Sequence, residues 1–144
     1  MVVLDTNVLS ELMRASPNAA VLTWINGQPD HHLFVSAIIR AEIELGIALL
    51  PASKRKTQLA AQAQAMFEED FAERCLPFDE ACAPLYATLV AQRTRNGRPI
   101  SVEDAQIAAI CLRHSKTLVT RNTADFDEIP GLAVVNPFVA AQAD

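Results

Sequence analysis

Five short apolar runs, each separated from the next by a stretch that reads as helix, constrain this chain more than any other feature. The runs are Val2–Asp5, Leu33–Ser36, Arg74–Pro77, Thr117–Thr120 and Ala133–Asn136. They are rich in Val, Leu, Ile and Phe, which is how strands buried on both faces read. Helical segments fill the gaps. Asn7–Arg14 is stopped by Ser16-Pro17, Ala19–Asn26 by Gly27, and Ala37–Leu49 by Pro51. Ser53–Glu73 is the longest helical stretch. Glu80–Arg95 ends at Asn96-Gly97, a left-handed C-cap signal. Val102–His114 opens after Ser101, with Asp104 three residues on in the manner of a capping box. A chain alternating in this way is expected to be α/β, with a mostly parallel sheet covered by helices on both sides.

The length of 144 residues fits a single domain, residues 1–144, without a linker or repeat. Hydrophobic residues make up 51%, enough for a sizeable core. Twelve basic and 17 acidic residues give a net charge of −5, which argues against a protein that coats nucleic acid by bulk charge. Local basic patches and metal ions can still hold phosphate. Cys75, Cys82 and Cys111 show no metal-ligand spacing and no pairing, as expected of buried thiols in a reducing, cytoplasmic setting. Asp5 interrupts the apolar start, so no signal peptide is expected, and no run approaches the ~20 apolar residues of a membrane span. Ala140–Asp144 is expected to fray.

The chemistry concentrates in four acids placed where strands hand over to helices or loops: Asp5, Glu42, Asp104 and Asp125. In a parallel α/β fold those strand ends share one edge of the sheet, where ligands bind. Gathered there, carboxylates repel one another and lose solvation, and a hard divalent cation is the simplest reason to assemble them. Each acid taken alone also has an ordinary reading. Asp5 can be an N-cap. Glu42 can be a solvated helix residue bordering a buried stripe of Ile38, Ala41, Leu45, Ala48 and Leu49. Glu103 and Asp104 can favour a helix dipole, with Asp104 the one aligned with the inner face of Ile107, Ala108 and Cys111. Asp125 can form an Asx-turn.

Other classes that use strand-end acids fit less well. A phospho-acceptor receiver wants a Lys ending a late strand, and Lys116 starts one. A haloacid-dehalogenase-like phosphatase wants a second Asp two residues after the first, where Asn7 stands. Four glycines in no Gly-rich loop disfavour nucleotide binding. A catalytically silent interaction module has no use for all four acids.

Four blocks occur in order: Val3-Leu4-Asp5-Thr6-Asn7, Ser36 to Glu42 followed by Glu44-Leu45-Gly46, Ile100 to Ala109, and Leu118 to Phe126. In them, and over nearly its whole length, the chain resembles the PIN-domain ribonucleases, and among these the VapC- or FitB-type toxins of bacterial type II toxin–antitoxin pairs. The resemblance implies a three-layer α/β/α sandwich and an endoribonuclease dependent on Mg2+ or Mn2+. It implies Asp5, Glu42, Asp104 and Asp125 as the acidic ligands, with Asp5 and Asp104 the first choices. Thr6, Asn7, Ser36, Thr120 and Asn122 would form the polar surround. It also implies a homodimer and a DNA-binding antitoxin of the VapB or FitA type, with RNA as substrate. The apolar faces of Asn7–Arg14 and Ser53–Glu73 are candidate contact surfaces. Candidates for gripping RNA are Arg14, Lys54-Arg55-Lys56, Arg93, Arg95, Arg98 and Arg121, each with a solvated face as the alternative. Phe34 and Trp24 fit core packing better than base stacking, and His31, His32 and His114 fit the surface.

Overall fold

The computed structural model describes residues 1–139; the fraying expected of Ala140–Asp144 lies outside the described residues. The apolar runs form strands β1 (Val2–Leu4), β2 (Leu33–Ser36), β3 (Cys75–Leu76), β4 (Thr117–Val119) and β5 (Val134–Val135). They make one sheet in the order β3-β2-β1-β4-β5, and every pairing is parallel. β1 is central, with Val3 opposite Phe34 on one side and Leu118 on the other. The chain builds outward from β1 through β2 to β3, then returns to lay β4 on the opposite side of β1. A crevice at the carboxyl ends of the strands is the consequence of such a reversal.

The strands are shorter than the apolar runs because their last residues turn away to other work. Asp5 and Thr120 still donate one bond each to neighbouring strands, Asp5 N to Val119 O and Thr120 N to Val135 O, both at 2.9 Å. Their side chains are thereby held at the sheet edge.

Helices α1 (Thr6–Leu12), α2 (Ala19–Asn26), α3 (Ala37–Ala48), α4 (Lys54–Ala65), α5 (Ala83–Arg95) and α6 (Val102–Arg113) flank the sheet in an α/β/α arrangement. Side-chain caps start several of them: Asn18 for α2, Ser36 for α3, Ser53 for α4 and Ser101 for α6. α6 packs against α3, α5 and β4, and buries Ala105 and every residue from Ile107 to Cys111. Val3, Leu4, Val35, Leu118 and Val119 from the sheet meet Val8, Leu9, Val21 and Ile39 in one core.

Three expectations need correction. The stretch Ser53–Glu73 is not one α-helix. After Ala65 the backbone widens into a π-helical turn over Met66–Asp70, closed by Phe71 N donating to Met66 O at 2.9 Å. The extra residue in that turn lets Met66, Phe67 and Phe71 all reach the core. The buried stripe of α3 is Ile39 and Ile43, with Ile38 and Ile47 half-buried, whereas Ala41, Leu45, Ala48 and Leu49 face outward. Two apolar stripes compete on this helix, and periodicity alone does not choose between them. The apolar face of α1 is spent on the core through Val8 and Leu9, so it is not a free contact surface. Asn96-Gly97 does end α5, with Gly97 at φ +70°. Among the described residues no helix is long and apolar enough to cross a membrane.

Candidate active site

Asp5 is the centre of the carboxyl edge and is 5% exposed. Its Oδ1 accepts the Thr6 N–H at 2.8 Å, which caps α1. Its Oδ2 accepts the Thr120 hydroxyl at 2.7 Å and the Asn7 amide Nδ2 at 3.3 Å. Thr120, fully buried, in turn accepts Asn7 Nδ2 at 3.2 Å and the Asn122 N–H at 3.1 Å. Asn7 Oδ1 accepts the Arg121 N–H at 3.0 Å. A single network thus joins the end of β1 to the end of β4, and every donor to Asp5 is neutral. Burial drives the Asp5 carboxyl above the usual range; the three hydrogen bonds oppose this and the charge of Asp125 adds to it.

Glu42 comes from the second turn of α3, one strand over. Its Oε1 accepts the Thr6 hydroxyl at 3.0 Å, so Thr6 links it to Asp5. Burial raises the Glu42 carboxyl; Asp5, Asp104 and Glu103 push in the same direction and the Thr6 hydroxyl pulls against them. Ser36 makes no hydrogen bond to any of the four acids. It is fully buried and accepts the Ile39 N–H at 3.2 Å, fixing the start of the helix that carries Glu42.

Asp104 sits half-buried in the first turn of α6, where Ser101 Oγ accepts its N–H at 3.1 Å. No return bond from the Asp104 carboxylate to the Ser101 backbone is formed, so the cap is one-sided. Burial raises Asp104 too, followed by the charge of Asp5; the Ser101 hydroxyl pulls against them, and Asp125 and Glu103 add to the rise. Asp125 lies in a 3-10 turn, Thr123–Phe126, after β4, and is exposed. Asn122 contributes its backbone N–H, not its side chain, to the network.

The basic residues separate sharply. Arg93, expected on a solvated face or on RNA, is 6% exposed and spends its guanidinium on backbone carbonyls. Lys56 caps the end of α3 through Ala48 O and Leu50 O, both at 3.0 Å. Arg98 pairs with Glu128 at 3.0 Å and with none of the four acids. Arg14 pairs with the buried Glu11 at 3.1 Å, and Glu11 also accepts the Asn18 N–H. Arg14 and Arg55 nevertheless line a cleft of about 760 Å³ that runs along α1 and α3 to Thr6 and Glu42. Glu11 is an acid that sequence reading passed over; nothing in its local pattern marks it as buried.

None of the ion pairs among the described residues includes Asp5, Glu42, Asp104 or Asp125. The four acids therefore press on one another without a protein cation between them. Among the described residues no three acid, histidine or cysteine side chains close into a ligand shell of their own. A hard cation such as Mg2+ takes one or two carboxylates directly, keeps several waters and does not require such a shell. The all-oxygen donor set also fits a hard cation and not a thiophilic one.

The architecture and the acid edge define a class of protein. The PIN domain family matches residues 2–132, and the chain belongs to it. The chain is 44% identical over 140 residues to the plasmid stability protein StbB of Pseudomonas syringae pv. tomato, covering 97% of this chain and 100% of that one. It is 42% identical over 141 residues to the VapC ribonuclease Y4jK of Sinorhizobium fredii, covering 98% and 100%. A solved structure of FitAB bound to the IR36 DNA fragment superposes with a TM-score of 0.91 at 38% identity, over 100% of both chains. Within the family the chain thus stands with the VapC and FitB type, as its four sequence blocks imply.

Proposed function

We propose that this protein is a metal-dependent endoribonuclease that cleaves RNA phosphodiester bonds, the toxin of a type II toxin–antitoxin pair. The observation that carries the reading is Asp5: a buried carboxylate held only by neutral donors, with three further acids turned on it or on each other. Such a site is poised for a cation and has no evident purpose without one. The VapC ribonuclease name borne by a 42% identical relative supports the chemistry.

In this reading Asp5 and Asp104 are direct ligands to Mg2+ or Mn2+. Glu42 and Asp125 complete the site directly or through water. When bound, the ion neutralises charge developing on the scissile phosphate and acidifies attacking water. The chain's own residues do the rest. Thr120 and Asn7 fix the Asp5 carboxylate in one orientation, and Thr6 does the same for Glu42. No side chain of the site stands apart from the proposed ligands as a separate general base, so the attacking water would be activated by the ion. Arg14 and Arg55, on the wall of the cleft, are placed to take the flanking RNA phosphates.

The partners follow from the same reading: a VapB- or FitA-like, DNA-binding antitoxin, and a second copy of the chain. The FitAB assembly on DNA supports the first. A homodimer is expected by light scattering at micromolar concentration, and a monomer there counts against it. A cytoplasmic location goes with an RNA substrate. The deciding experiment is cleavage mapping on total RNA by purified protein, with Mg2+ and with EDTA, beside an Asp5→Asn control. Cleavage that needs both metal and Asp5 is the expected result. Cleavage by the control, or none by the wild type, rejects the proposal.

A further inference from the structure

Arg93 is the most deeply buried cation among the described residues, and it has no carboxylate partner there. It stands in the last turn of α5 and reaches two separate loops. Its Nε donates to Arg98 O at 2.8 Å, in the loop that leads into α6. Its Nη1 donates to Asp125 O at 3.2 Å and Asp127 O at 3.0 Å, in the turn after β4. The first loop delivers Asp104 and the second carries Asp125. The two acids are 21 positions apart in the chain, in different elements, and no direct hydrogen bond joins them.

We infer that Arg93 is a positioning residue, whose forked guanidinium sets the separation of Asp104 and Asp125 by tying their two loops together. A buried charge is costly unless its hydrogen bonds are met, and here carbonyl oxygens meet them. If the turn needed only packing, Phe126 and Ile129 already supply it at 2% and 5% exposure. What an apolar side chain lacks is the planar fork, whose donors have fixed angles and so fix the distance between the segments that accept them. A lysine keeps the charge but not the fork. On the surface, Arg98 and Glu128 bridge the same two loops with an exposed pair, and an exposed pair holds geometry weakly.

This inference rests on the proposed metal site, and its test reads metal affinity besides activity. Arg93→Lys, Arg98→Ala, Asp5→Asn and wild type are titrated with Mn2+ by calorimetry, well below their melting temperatures. Arg93→Lys should stay folded and bind Mn2+ about tenfold or more weakly, in the range seen when an outer-shell partner is lost. Arg98→Ala should bind as wild type, because the buried fork survives. A purely structural clamp would lower the melting temperature of Arg93→Lys and leave the Mn2+ dissociation constant unchanged, and that result overturns the inference. Equal weakening in Arg98→Ala also overturns it, since it would mean that any loosening of the loops suffices. If Arg93→Lys melts too low to titrate, wild-type hydrogen exchange decides. Mn2+ should then protect segments 98–104 and 122–128 together, and protection of one alone rejects the clamp. Normal Mn2+ binding by Asp5→Asn sinks the metal-site reading and the clamp with it. Loss of binding there beside normal binding in Arg93→Lys sinks the clamp only.

Discussion

The Thr120 hydroxyl donates to Asp5 Oδ2 at 2.7 Å across 115 residues of sequence, and so joins the ends of two adjacent strands of the sheet. Thr120 Oγ1 also accepts from Asn122 N and Asn7 Nδ2. Thr120→Val keeps the shape and deletes all three contacts. It should cost about 1–3 kcal/mol by leaving buried polar groups unmet, and weaken Mn2+ binding roughly 10–100-fold. Thr120→Ser should recover most of both. Melts and calorimetry on the two variants are the check, and wild-type metal affinity in Thr120→Val would remove Thr120 from the site.

Asp5→Asn and Asp104→Asn should each abolish RNA cleavage while the fold persists. The loss should exceed the roughly 100-fold upper range for an outer-shell partner, because a direct ligand goes. Circular dichroism establishes folding and gel-resolved cleavage at matched Mg2+ establishes activity. Full cleavage by either variant contradicts its assignment.

Without metal, stability should fall as pH rises out of the carboxylate range. Asp5, Glu42 and Asp104 all have carboxyls raised above ordinary values, chiefly by burial. The folded chain therefore binds protons more tightly than the unfolded one. The sign of the linkage makes this contribution complete below the unfolded values, near pH 4, and lost as pH climbs through the raised folded values. Mn2+ should cancel the loss by binding the ionised, folded cluster. Melts in EDTA and in millimolar Mn2+ across that window test it. Asp104→Asn should flatten the pH slope and shrink the metal shift; an equal shift in variant and wild type refutes mutual repulsion at the site.

Phe71→Ala should cost about 3–5 kcal/mol, because a buried ring leaves a cavity in the π-helical corner. Phe71 is 7% exposed and contributes nothing to the acid edge. Denaturant midpoints give the loss, and cleavage per folded molecule should not change. A drop in specific activity would reveal a coupling between that corner and the site.

What the sequence disclosed follows from how locally each feature is encoded. Strands buried on both faces must be apolar throughout, so β1 to β5 are visible as runs, and the acid closing a run falls at the sheet edge by geometry alone. Asp5 is legible for that reason, whereas Glu42, Asp104 and Asp125 stand in helices and a turn and are singled out only by the blocks around them; the serines at positions 36, 53 and 101 announce helix starts. The inner face of α3 is not legible, because Leu45 and Leu49 are apolar yet 59% and 75% exposed; hydrophobicity cannot tell a core from an uncovered surface. The π-helical turn depends on Met66, Phe67 and Phe71 finding room together, a tertiary demand. Arg93 is the extreme case. Its partners at Asp125 and Asp127 lie 32 and 34 residues away, and they are carbonyls, which every residue has and no letter records.

Asp5 caps α1 with one oxygen and keeps the other for Thr120 and Asn7. Asparagine caps a helix about as well as aspartate, and the two differ by one base in their codons. On the proposed reading, the simplest genetic lesion at this position would silence the protein without spoiling its shape. A cell under pressure to disarm the chain would then have a route that spares the outer surface, and an inert copy made this way would still occupy the proposed antitoxin.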